Sequence, residues 1–229
     1  MLAQRRGGRY QRVWHNFVVA ETARRGPGRP PAAKAADTRD RILRAAREVF
    51  SELGYDAATF QAIAVRSDLT RPAINHYFAN KRVLYIEVVE QTNTMVVTAG
   101  AERARVATSL VDRLEAFITA AVQADARARS AAAFLVTAVL EAQRHPELQG
   151  LEGDPLEGSR QFVEWAVRKA VESGEIASDT DVESLVEMLV AVLWGLGFYA
   201  GFVGGSERVD RVTAQLRLLL ESRLQPHRG

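Results

Sequence analysis

The sequence predicts an all-α protein: a three-helix head carrying a helix-turn-helix, and a six-helix body behind it. Apolar residues recur at i, i+3, i+4 and i+7 from residue 40 to near the C-terminus, and no stretch alternates as a strand pair would. Two helix-capping threonines, Thr59 and Thr70, stand just far enough apart for a helix, a tight turn and a second helix. Charge is divided along the chain, with net +7 in residues 1–36, +2 in 37–85 and −7 in 86–229. A basic front is drawn to a polyanion, and an acidic rear is kept away from it.

Residues 1–36 lack periodicity and carry Arg24-Arg25-Gly26-Pro27-Gly28-Arg29-Pro30-Pro31, so they read as a disordered basic arm. Gly28-Arg29-Pro30 fits either a minor-groove hook or a solvated tail that adds nonspecific phosphate attraction. The apolar stretch 10–19, with Trp14 and Phe17, is too short for a signal peptide, and a natural start near Val18 or Val19 would leave most of it out. The first helix, 40–53, places Ile42, Leu43, Ala46, Val49, Phe50 and Leu53 on one face, and Gly54 ends it. Thr59 caps a second helix with Phe60, Ile63 and Ala64 inside, and Thr70 caps a third over 70–78.

With Ile74 and Phe78 buried, about 100° per residue sends Pro72 and His76 outward, flanked by Ala73 and Asn75. A proline, an alanine, an amide and an imidazole solvate a surface poorly but suit a DNA groove. Asn can bond an adenine edge, small apolar groups meet thymine methyls, and Arg71 reaches phosphate or guanine. The candidate base readers are therefore Arg71, Pro72, Ala73, Asn75 and His76. Thr59, Thr70, Tyr77 and Lys81 are the candidate backbone contacts.

The run Thr38-Arg39-Asp40-Arg41-Ile42-Leu43-Arg44-Ala45-Ala46, then Phe50, Gly54-Tyr55, Thr59, Ile63-Ala64, Leu69-Thr70, Ala73-Ile74, Tyr77-Phe78 and Lys81, resembles the DNA-binding domain of the TetR family of bacterial repressors. The resemblance covers about 50 of the 229 residues. It departs at Asp68, where the family usually has glycine, and at Asn75, His76 and Tyr77, where it usually has Tyr, an aromatic and His. The mode of binding carries over and the DNA sequence read does not. The resemblance implies a homodimer on a palindromic operator, formed through the last two long helices, and release by a small effector bound in the body. A helical DNA-binding regulator without an effector is the alternative.

Body helices are expected at 81–105, 109–127, 130–144, 155–173, 179–203 and 206–224, separated by breaks such as His145-Pro146 and Ser173-Gly174. That divides the chain into an arm (1–36), a DNA-binding head (37–84) and a ligand-binding and dimerisation body (85–229). Nineteen residues from Met188 carry no charge, long enough to consider a membrane span. Crowded glycines and the absence of basic anchors favour a helix covered by protein, so no membrane partner is expected. The stripe Val209, Val212, Leu216, Leu219 and Leu220 offers a face to a partner helix.

Met95, Phe117, Phe134, Thr137, Glu141, Phe162 and Trp165, with Gln91, Asn93, Thr94 and Thr98 interspersed, would line a pocket for an unknown, mostly apolar effector or else form ordinary core. The chain has no cysteine and its four histidines are scattered without a catalytic or metal-ligand pattern. No catalytic residue, metal or cofactor is expected, and the setting is cytoplasmic.

Overall fold

The computed structural model describes residues 31–123, 131–149, 154–204 and 206–224. The chain forms two compact units, Met1–Thr38 and Arg39–Gly229. In the first unit the described residues are helical: α1 (Pro31–Ala57) begins at Pro31, so residues 31–36 are helix and not the end of a disordered arm. The cause is local. Proline fits the first helical turn, and four of the next five residues are alanine. The hook at 28–30 and the apolar stretch 10–19 lie outside the described residues.

In the second unit α1 is broken at Gly54, whose φ of 76° is left-handed and suits glycine. The break redirects the chain. Leu53, expected inside, is 50% exposed, and Tyr55 and Ala58 are buried instead. α2 (Phe60–Arg66) and α3 (Arg71–Tyr77) begin at Thr59 and Thr70, whose hydroxyls accept from Ala62 N at 3.1 Å and Ala73 N at 3.3 Å. Between them the chain reverses through Asp68 at φ 52°, and Leu69 N donates to the Ala64 carbonyl at 2.9 Å. Ile63, Ile74 and Phe78 share one buried cluster with Ile42, Ala46 and Phe50, which fixes α3 to the head.

The body continues as α4 (Lys81–Ala104), α5 (Leu110–Gln123), α6 (Ala131–Arg144), a 3-10 turn (Pro146–Leu148), α7 (Pro155–Glu172), α8 (Val182–Phe198) with a π turn (Tyr199–Val203), and α9 (Ser206–Leu224). All six expected body helices are present, and there is no strand among the described residues. Side chains supply the caps: Asn80 accepts from Val83 N at 2.9 Å and Asp181 from Ser184 N at 3.1 Å, while Glu175 reaches across to Leu110 N at 2.9 Å. Gly100 lets α5 close on α4, since a Cβ there would lie 2.3 Å from the Phe117 ring. Gly201 likewise seats the π turn against Ala133 of α6.

Val182–Val203 is long and apolar enough to cross a bilayer, with 22 residues and a mean hydropathy of 1.8. Its Val186, Leu189 and Leu196 are buried against the chain's own helices, and α8 packs on α7 and α6. Met188, Phe198 and Phe202 remain about half exposed, at 48%, 47% and 51%. On α9, Val209 is buried against the chain, whereas Val212 and Leu219 face out at 38% and 64%. Arg217 ties α9 to α5 through Asp112 at 2.8 Å and through Glu115.

Asp68→Gly is expected to raise folding stability by about 0.5–1 kcal/mol. The left-handed conformation costs an L-residue about 1–2 kcal/mol, of which glycine's freedom in the unfolded chain takes back part. Urea unfolding measures it, and a loss of stability would mean that the Asp68 side chain contributes more than its backbone costs.

Candidate functional site

The inward residues of α3 settle what its outward residues can do. Ile74 and Phe78 are 0% and 1% exposed, so the helix cannot roll, and Arg71, Pro72, Asn75 and His76 are exposed. Ala73 and Tyr77 are partly covered. Among the described residues, the side chains of Arg71 and Asn75 have no hydrogen-bond or ion-pair partner, and His76 touches only the Tyr77 ring, edge-on at 5.3 Å. An exposed guanidinium, amide and imidazole on one fixed face leave their hydrogen-bonding capacity for something outside the chain. By contrast, Arg66 is held by Glu48 at 2.9 Å and Glu52 at 2.6 Å, which joins α2 to α1. That hydrogen bond also holds the Glu52 carboxyl below its usual range.

Lys81 departs from expectation. Its ammonium donates to the carbonyls of Tyr55 at 2.8 Å and Asp56 at 3.0 Å and lies 4.6 Å over the Tyr55 ring. The break at Gly54 leaves carbonyls at the end of α1 without helical partners, and a cation at the start of α4 satisfies them. Lys81 is thus a clamp between helices, a role that its position in the sequence did not suggest. Arg39 makes a second clamp: it bonds Glu87 of α4, with Nε to Oε1 at 2.8 Å, and lies 4.6 Å over the Phe78 ring. Both ends of the head are pinned to the first turns of α4.

In the body a cavity lies among α4, α5, α6, α7 and α8. Of the seven expected ligand residues only Phe117 lines it. Met95 packs on the core shared with the head, Phe134 lies 6.1 Å from the Tyr85 ring, and the Thr137 hydroxyl donates to the Ala133 carbonyl at 3.1 Å. Glu141 sits 3.4 Å from His145 at the far end of α6. Phe162 stacks behind Phe117 at 4.1 Å, and Trp165 tilts on Phe162 at 5.9 Å. Periodicity identifies an apolar face but not whether a neighbour fills it, so core and cavity residues look alike in sequence.

The sequence reading did not select Ser159 and Trp194 and left Asn93 as one polar residue among several, yet all three line the cavity. The one signal available was chemical. An indole N–H or an amide on a buried face must find a partner, and Trp194 Nε1 donates to Ser159 Oγ at 2.8 Å.

A fixed, outward-facing helix on a capped helix-turn-helix, joined to a helical body with its own cavity, defines a DNA-binding regulator of the helix-turn-helix class. The description "Bacterial regulatory proteins, tetR family" matches residues 42–88, and "Tetracyclin repressor-like, C-terminal domain" matches residues 107–221, half of the chain. The chain belongs to the TetR family of bacterial transcriptional regulators.

The HTH-type transcriptional regulator UidR of Escherichia coli (strain K12) is 25% identical over 163 residues, which span 71% of this chain and 81% of UidR. Among solved structures, the transcriptional regulator FadR from Bacillus subtilis in complex with stearoyl-CoA superposes with a TM-score of 0.68 at 20% identity, covering 79% of this chain and 96% of that one. A regulator from Saccharomonospora viridis in complex with choline also gives 0.68 at 20% identity, covering 82% and 97%. At these identities the two structures speak for the fold.

Lys81→Met, which keeps the stem and removes the charge, is expected to lower stability by about 1–3 kcal/mol through the loss of two charge-assisted hydrogen bonds and a cation–π contact. Thermal or urea unfolding measures this, and an unchanged transition would remove Lys81 from the clamp.

Proposed function

We propose that this chain is a cytoplasmic repressor that binds a palindromic operator as a homodimer and is released when a small, mostly apolar effector fills the body cavity. Residues 37–84 read the DNA, and residues 85–229 hold the effector and the second subunit. The observation that carries the reading is the unpartnered Arg71 and Asn75 on a helix locked by Ile74 and Phe78. Arg71, Pro72, Ala73, Asn75 and His76 meet base edges, and Thr59, Thr70 and Tyr77 meet the phosphate backbone. A seven-residue recognition helix makes few base contacts, so tight binding needs two heads acting on one site.

The surface for pairing is on α8. Ser184, Met188, Ala191, Gly195, Phe198 and Phe202 succeed one another at spacings of three or four residues and are all exposed. A Cβ at Gly195 would meet nothing within 4 Å in the chain, which leaves room for another helix to come close. An uncharged exposed stripe of this kind is what a helix-to-helix interface between subunits requires.

In a shift assay on the DNA upstream of its own gene, binding should weaken steeply with salt. Arg71→Ala and Asn75→Ala should each weaken it by about 1–3 kcal/mol at a specific site while sparing nonspecific binding more. Binding that is absent at every salt concentration, or untouched by both changes, would remove the DNA reading. For the dimer, sedimentation equilibrium of Gly195→Trp should give a dissociation constant at least about tenfold weaker than that of the parent chain, with the unfolding of the subunit little changed. A parent chain that is monomeric at all concentrations would end the dimer reading.

A further inference from the structure

The walls of the cavity restrict what can enter it. Apart from Asn93 and Ser159 its lining among the described residues is hydrocarbon and aromatic, from Val96, Phe117 and Ile118 on one side to Leu135 and Trp194 on the other, with no charged residue among them. The Ser159 hydroxyl is already engaged, accepting from Trp194 Nε1 at 2.8 Å and donating to the Leu156 carbonyl at 2.9 Å. Asn93 differs. It is 2% exposed and lines the cavity, and its amide has no hydrogen-bond partner among the described residues. Gly158 of α7 leaves the space beside it open, for a Cβ there would come within 3.2 Å of Asn93 Nδ2. An amide that lines a cavity with both donors and its acceptor unused by the chain is free to bond to a polar group that enters.

The charges buried nearby are outside the lining. Glu141 is turned to His145 at 3.4 Å, and the Arg113 guanidinium lies 5.7 Å from the Trp165 ring centroid, on the residue that backs Phe162. A carboxylate, phosphate or ammonium entering this cavity would be desolvated with no opposite charge to meet it.

We propose that the cavity takes an uncharged, mostly apolar molecule whose one polar group, a hydroxyl or carbonyl, hydrogen-bonds to the Asn93 amide. This rests on the effector reading of the cavity and adds the ligand's charge class and the residue that selects it. Asn93 is a specificity residue: hydrocarbon walls give affinity to any apolar molecule of suitable size, and the amide separates one carrying a neutral polar group from one without. The same amide cannot offset a full charge.

Calorimetric titration of the full chain at pH 7.5 with 1-octanol, octanoate, octylammonium and naphthalene tests it. Octanol should bind at least about tenfold more tightly than octanoate or octylammonium. Asn93→Leu should weaken octanol by about tenfold and leave naphthalene within about twofold, so that naphthalene also reports an intact cavity. Asn93→Asp should reverse the preference toward octylammonium. Octanoate or octylammonium binding the parent chain as tightly as octanol would overturn the proposal while leaving an effector cavity in place, as would octanol binding that survives Asn93→Leu unchanged. If none of the four binds up to its solubility limit, the effector reading falls together with the proposal.

Discussion

One buried aromatic cluster around Tyr85 makes the head and body a continuous structure. Tyr85, on the second turn of α4, meets Phe50 edge-on at 4.8 Å, Tyr55 at 4.8 Å and Phe134 of α6 at 6.1 Å. Each such pair adds about 0.5–1.5 kcal/mol beyond the area it buries. Burial, with Glu141 nearby, pushes the Tyr85 phenol well above its ordinary pKa, so the cluster stays uncharged. The rings come from α1 and the turn after it, from α4 and from α6, and the core they belong to runs unbroken from Ile42 through Ile74 and Phe78 to Leu148. The orientation of the recognition helix is therefore set by the packing of two body helices.

Two polar clamps turn that packing into a fixed angle. Arg39 and Glu87 hold the early part of the head against α4, and Lys81 holds the end of α1 through two carbonyls. The second body helix has its own contact with the same place. His145, at the end of α6, lies edge-on to the Tyr55 ring at 5.0 Å and 3.5 Å from Asp56, while Arg82 of α4 donates to the Glu147 carbonyl at 2.7 Å. The link between body and head is made by α4 and α6 together, meeting at Tyr55.

The features legible in the sequence are those that local chemistry dictates. Thr59 and Thr70 announce themselves as caps and Gly54 as a break, because each of these depends on a few neighbouring atoms. The inward and outward faces of α3 are legible for the same reason, since Ile74 and Phe78 set a wheel that the helix has no freedom to reinterpret. The clamp at Lys81 is not legible in the sequence because its partners are two backbone carbonyls 25 and 26 residues away, which no side-chain pattern reveals. The cavity is misplaced for a related reason. Phe117 and Phe162 both sit on apolar faces, of α5 and α7, and only their stacking at 4.1 Å among the neighbouring helices shows that Phe117 lines the space and Phe162 does not.

The cavity lies between the two helices that hold the head. Asn93, Val96 and Val97 of α4 face it from one side and Ala132, Leu135 and Val136 of α6 from another, while the opposite parts of both helices end in the cluster at Tyr55 and Tyr85. On the proposed effector reading, a molecule seated between α4 and α6 would act on the head only where it fits the cavity poorly enough to change their spacing, because close-packed helices move as rods. Because α4 and α6 are joined at the head end, a change in their spacing at the cavity would be felt there, and Arg39 and Lys81 would carry it to α1 and α3. Affinity alone would move nothing. An effector shifts the population only by the difference between its affinities for the two spacings, and the Asn93 amide, which finds its partner only when the polar group is brought to α4, is a contact through which that difference can arise.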